Sequence, residues 1–210
     1  MHGLFFDIGL GAGLAVACGL RPFLPLLLVG ALARAHDLGV SFAGASYHFL
    51  QSGWWLLAVA GAMVLAYALQ LTLRLSPTLG SRARAAGAAA DPLAASLAGL
   101  GLGAGAVVFA GTLSAHGERV WPGLVGGILL AALGERVAGP VIAGARARLT
   151  ERAVREALTL YLDLAALLAA VLVALLHPLG YVLIALFAWF AVRTRNRGDG
   201  KYAGLRILRR

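Results

Sequence analysis

The run from Gly9 to Gly30, GLGAGLAVACGLRPFLPLLLVG, is long enough to cross a bilayer, yet Arg21 and Pro22 stand in its middle and Pro25 follows. Backbone groups in hydrocarbon must be satisfied internally. A proline that removes a donor is therefore tolerated only where protein or a water-lined cavity covers the gap. An arginine at that depth is normally turned inward and paired. These residues predict a broken transmembrane helix facing a protected interior.

The rest of the chain agrees with a membrane setting. Of its 210 residues, 60% are apolar and 13% charged, with a mean hydropathy of +0.85; soluble domains average roughly 45–50% and about 25%. Measured against the ~20 apolar residues that a crossing helix needs, six spans are expected, near residues 5–33, 54–74, 92–113, 120–145, 154–176 and 178–193. The fold expected is all-α and polytopic: a single transmembrane domain over 1–195, with halves of about 1–115 and 116–195, then a basic cytoplasmic tail over 196–210. Asp91-Pro92 and Trp121-Pro122 read as helix starts, and His177-Pro178 as the break before a short last span. In the tail, Gly198-Asp199-Gly200 reads as a turn. Met1 to Asp7 lacks the basic region of a secretory leader, so the first helix is expected to stay.

Charge sets the expected orientation. Alternating spans put fourteen of the 18 Lys and Arg residues on one side, leaving Arg34 and Arg119 on the other and Arg21 and Arg136 inside spans. The positive-inside rule then makes both termini cytoplasmic, in the plasma (inner) membrane of a prokaryote. Trp54, Trp55 and Trp121 fall at the outer interface, as do His36, His48, His116 and His177. Asp7 reads as a solvated cap near the cytoplasmic end. The net charge of +9 points to anionic lipid headgroups, because no aromatic-studded groove or motif supports nucleic-acid binding. A single cysteine, Cys18, allows no disulfide within one chain and no thiolate cluster. Neither a metal nor a cofactor is expected.

A shift of 114 residues lays Gly9–Arg34 on Gly123–Arg148 with eight coincidences, and the break at Arg21-Pro22 finds a parallel in Gly134-Glu135-Arg136 and Gly139-Pro140. An offset of three spans reverses direction, predicting an inverted 3+3 repeat with broken first and fourth helices around a midplane site. Glycines four apart, at 9/13, 99/103, 101/105 and 123/127, predict close helix contacts. The candidate ligand-binding residues are Arg21, Pro22, Glu135, Arg136 and Asp163, with Arg21 expected to pair with Glu135 while Arg136 and Asp163 stand nearby. A carboxylate and a guanidinium in low dielectric need each other and further hydrogen bonds.

The segment Gly19 to Leu26, GLRPFLPL, at the end of its glycine–alanine run, resembles the opening of an uncharacterised prokaryotic integral-membrane family catalogued as domain of unknown function 4126. The likeness extends through most of the chain as span order and a second glycine-rich core. It departs at Tyr67 to Arg74, where an acidic and lysine-containing end before a proline would be expected, and in the fourth span, which lacks a threonine-rich and Asn-Pro pattern. The resemblance implies the fold and carries no activity.

The function expected from the residues is a transporter or channel for a small anionic or zwitterionic solute, with Glu135 or Asp163 as a proton-coupling carboxylate and a homodimer as its assembly. The alternative is a non-catalytic membrane scaffold or assembly subunit. An enzyme is not expected: HExxH and GxSxG are absent, and His116 with Glu118 is the only local candidate.

Overall fold

The computed structural model describes residues 4–35, 40, 42, 46–75, 92–148 and 152–202, and those residues form seven α-helices and one 3-10 turn. The helices are α1 (Leu4–Leu20), α2 (Phe23–Ala35), α3 (Gly53–Leu75), α4 (Pro92–Ser114), α5 (Val120–Arg148), α6 (Arg152–Leu175) and α7 (Leu179–Tyr202); the 3-10 turn, His48–Gln51, precedes α3. Helices α3 to α6 are long and apolar enough to cross a membrane, whereas α1, α2 and the apolar part of α7 are shorter. The Ser52 hydroxyl accepts from the Trp55 N–H and caps α3. Pro92 opens α4 and Pro122 lies in the first turn of α5, as expected.

The break at Arg21-Pro22 turns the chain back on itself. α1 runs antiparallel to α4: Gly11 lies against Thr112, Gly105 against Ala15, and Gly101 against Cys18. α2 then returns toward the end where it began. Gly30 packs on the Leu50 carbonyl and on Leu56, Arg34 lies over Gly53, and Leu50 in turn touches Gly111, one residue from the Gly11 contact. α1 and α2 are thus a helical hairpin that enters and leaves at one end, where a single first crossing was expected. The cause is local: Arg21 N–H makes the last bond of α1, to the Ala17 carbonyl, and Pro22 has no N–H with which to continue the ladder.

This hairpin changes the topology. The start of α1 lies beside the connection from α4 to α5, where His116 meets Asp7, and beside the α6–α7 junction, where Gly9 faces the His177 carbonyl. α7 starts from that junction and runs away from it. The start of α1 and the far end of α7 therefore lie at opposite ends of the bundle, whereas both termini were expected on one side. The break expected in the fourth span is also absent. α5 runs unbroken through Pro140, so a straight helix stands where the equivalent of the hairpin was predicted. α7 likewise continues through 198–200, where a turn was expected. The Asp91 cap, His36 and the end of the basic tail lie outside the described residues.

α1 is the central element, buried along Gly9 to Cys18. Its glycines allow backbone-to-backbone contact: a Cβ on Gly19 would collide with the Ala131 carbonyl of α5, and one on Gly180 with the Gly9 carbonyl. The contiguous core joins Leu10, Leu14, Val29, Leu50, Val108 and Val173, and so binds the hairpin to α4, α6 and the 3-10 turn. α3 lies at the rim, with Trp54, Leu57, Val64 and Leu65 strongly exposed, as expected of a lipid-facing helix.

Candidate functional site: a charged cluster at the hairpin tip

Arg21 sits at the tip of the hairpin, and α3 and α6 bring two side chains to it. Arg21 Nε is 2.6 Å from Asp163 Oδ1, and the Tyr67 hydroxyl donates to Asp163 Oδ2. Helix rise fixes the depth. Tyr67 lies five residues inside the end of the apolar segment Gly53–Thr72, and Asp163 six residues inside the start of Ala157–Leu175. At 1.5 Å per residue, both stand about 8–9 Å inside the ends of their apolar segments. The side chains of Arg21 and Asp163 are 19% and 13% exposed, so the pair is largely withdrawn from its surroundings.

The guanidinium is incompletely used. Its contact with Asp163 is short but lies off the N–H direction, and the buried Nη2 has no hydrogen-bond partner. Nε and Nη2 form the side-on fork that can hold both oxygens of a carboxylate. Asp163 gives that fork one oxygen and turns the other to Tyr67. Arg21 also lines a cavity of about 20 Å³, together with Pro22, Phe23, Leu24, Met63, Ala66, Tyr67 and Gln70. Space of that order holds about one water.

Three of the five predicted residues meet here: Arg21, Pro22 and Asp163. The expected Arg21–Glu135 pair is corrected, because Arg21 pairs with Asp163. Glu135 is half-buried and Arg136 exposed on α5, and neither makes an ion pair among the described residues. α5 passes close to the tip, with Gly134 against Gly19 of α1, but Asp163 rather than Glu135 is the carboxylate that meets the guanidinium. Tyr67 was missed, although a hydroxyl inside an apolar span needs a partner and signals one.

A second polar cluster holds the other end of α1. Asp7 is 5% exposed rather than a solvated cap, and its Oδ2 lies 3.1 Å from His116 Nε2. His116 Nδ1 lies 3.2 Å from the Thr112 carbonyl, which can only accept, so Nδ1 carries a hydrogen. The turn that places His116 ends α4 with Glu118 N–H bonded to the Leu113 carbonyl and Gly117 at φ 72, a left-handed conformation suited to glycine.

No protein-family model, curated protein or solved structure matches this chain. Among the described residues, no group of three or more His, Cys, Asp or Glu could hold a metal ion.

Proposed function

We propose that this protein moves a small anionic solute across a prokaryotic plasma membrane, using Arg21 as the anion-binding group and the α1–α2 hairpin as the element that places it. The observation that carries this reading is the guanidinium held at the non-helical tip of a hairpin between apolar helices, with buried donors that have no hydrogen-bond partner and with a small cavity lined in part by the same residue. Ionisable residues at such depth are costly and mark solute or ion pathways. The opening turn of α2 adds unpaired N–H groups and the positive end of a helix dipole at the same place. By the charge distribution, the arginine-rich end is cytoplasmic, and the amino end and His116 face outward. The resemblance of Gly19 to Leu26 to an uncharacterised membrane family is consistent with this and adds no activity.

The test is flux in proteoliposomes for chloride, formate, acetate and glycine. Saturable flux of at least one solute, reduced at least tenfold by Arg21→Gln, is the expected result. Flux that Arg21→Gln leaves unchanged removes the site from the pathway. One observation favours the alternative, a scaffold subunit locked by an internal ion pair: the cavity has room for about one water only. That reading predicts no flux for any of the four solutes, together with co-purification of a membrane partner.

A further inference from the structure

We infer that two copies of this chain associate in the membrane along the free face of α5, Glu135 of each copy pairing with the partner's Arg136. The inference goes beyond the transport reading and does not depend on it.

The first argument is charge without a partner. Glu135 and Arg136 lie inside the apolar segment Val120–Ile142. At 1.5 Å per residue they stand about 9–11 Å from its end. Successive residues of a helix do not face each other, so the two cannot satisfy one another within the chain. Neither makes an ion pair among the described residues. Ionisable side chains in such a segment are costly and are normally paired. Arg136 has a stem long enough to carry its charge toward the headgroups, but the shorter Glu135 side chain does not span that distance. The cation that meets it has to come from outside the chain.

The second argument is the face on which the two stand. α5 turns Gly123 and Gly127 toward α4 and Gly134 toward α1. Its opposite face carries Trp121, Val125, Ile128, Ala132 and Gly139, the repeat of alternating three and four residues that makes a helix–helix seam. Trp121, Val125 and Ile128 are exposed, and a Cβ on Gly139 would meet nothing within 4 Å. At 3.6 residues per turn, the line of this seam passes between Glu135 and Arg136, about 50° from each. Two copies inserted in the same orientation bring α5 against its copy in parallel, about a two-fold axis along the membrane normal. Such an axis sets one flank of the seam against the other flank of the partner, so that residue i meets j and j meets i. Glu135 then meets the partner's Arg136, and Arg136 the partner's Glu135. One dipeptide supplies two opposite-charge pairs, and this self-complementarity is what selects a second copy as the occupant. Ala132 and Gly139, one turn before and one turn after the charges, are small enough for the two backbones to approach there. The exposed face of α3 offers a contrast: Gly53–Thr72 contains no charged residue, as contact with lipid requires.

The test is disulfide crosslinking of the full chain in native membranes, with copper phenanthroline as the oxidant. Cys18, the one native cysteine, is buried, so an introduced thiol is the reactive one. Ala132→Cys should give a covalent dimer, and Val64→Cys, on the exposed face of α3, should not. Adding Glu135→Arg or Arg136→Glu to Ala132→Cys sets like charges against each other across the seam, and the dimer yield should fall about tenfold or more. Both reversals in one chain should restore the yield. Co-expression of the two single-reversal chains should restore it too, because each supplies the charge that the other lacks, and either recovery shows that the single variants fold. Absence of a dimer from Ala132→Cys overturns the inference, as does an equal yield from Val64→Cys. A yield that a single reversal leaves unchanged overturns it, and so does a loss that neither combination recovers. Crosslinking of Ala132→Cys to a different membrane protein in place of a second copy overturns it as well.

Discussion

Asp163 and Arg21 each depend on the other's charge, and this makes their single substitutions more costly than their joint loss. Removing one partner of a buried pair leaves an uncompensated ion and costs about 3–5 kcal/mol. Arg21→Gln and Asp163→Asn are each expected to lower the thermal unfolding midpoint in detergent, and the double variant to recover part of the loss. Tyr67→Phe removes one hydrogen bond to the carboxylate and should cost less, about 1–3 kcal/mol. At the other end of α1, His116→Ala leaves the buried Asp7 carboxylate without its imidazole, whereas His116→Ala combined with Asp7→Asn should be milder in the same assay. The sequence made Arg21 legible as an inward, paired residue, because an arginine in an apolar run has few alternatives. It did not reveal the partner. Glu135 and Asp163 are both carboxylates inside spans, and only the path of the backbone decides which one reaches the tip.

The helices meet through their smallest residues, and the contacts differ sharply among glycines that look alike in the sequence. Gly19 and Gly180 lie against carbonyls, so a Cβ there forces α1 away from α5 or α7. Gly19→Ala and Gly180→Ala should therefore reduce the yield of folded protein severely, as read by size-exclusion chromatography. Gly61, Gly99 and Gly103 have no atom within 4 Å of a built Cβ. Alanine at these three should be neutral or stabilising by up to about 1 kcal/mol, the difference in helix propensity. The four-residue glycine spacing signalled close packing in general, and 9/13, 101/105 and 123/127 do face neighbouring helices. The 99/103 pair, on the same helix as 101/105, faces open space. Spacing alone does not say which side of α4 meets α1, because a helix this rich in glycine and alanine has little amphipathic contrast. The α1–α2 break was legible from Pro22, but the angle of the turn was not: a proline removes a hydrogen bond without saying where the chain goes next. Pro140 shows the opposite outcome, since α5 continues through it.

At the scale of the whole molecule, the hairpin sets the parity of the chain. A first element that doubles back puts the start of α1 and the far end of α7 at opposite ends of the bundle, and the proposed orientation then places the amino end outside. A tag at the amino end should therefore be reachable by impermeant reagents from outside intact cells, and one at the carboxyl end only after permeabilisation. Labelling of both tags from the same side would contradict the doubled-back path of α2. The membrane class and the helical architecture were readable from hydropathy and span length. The crossing number was not, because two short helices of 17 and 13 residues occupy in sequence the place of one long span.

The hairpin also bears on how the protein is made. Its arginine emerges from the ribosome early, in the first apolar segment, while the aspartate that neutralises it belongs to a helix synthesised much later. Until α6 is in place, an unpaired cation would sit at the buried end of two helices too short to hold a stable position in lipid on their own. The hairpin is thus translated well before α6 and settles only after it, and it must wait at the translocation machinery or the headgroup layer for the rest of the bundle to receive it.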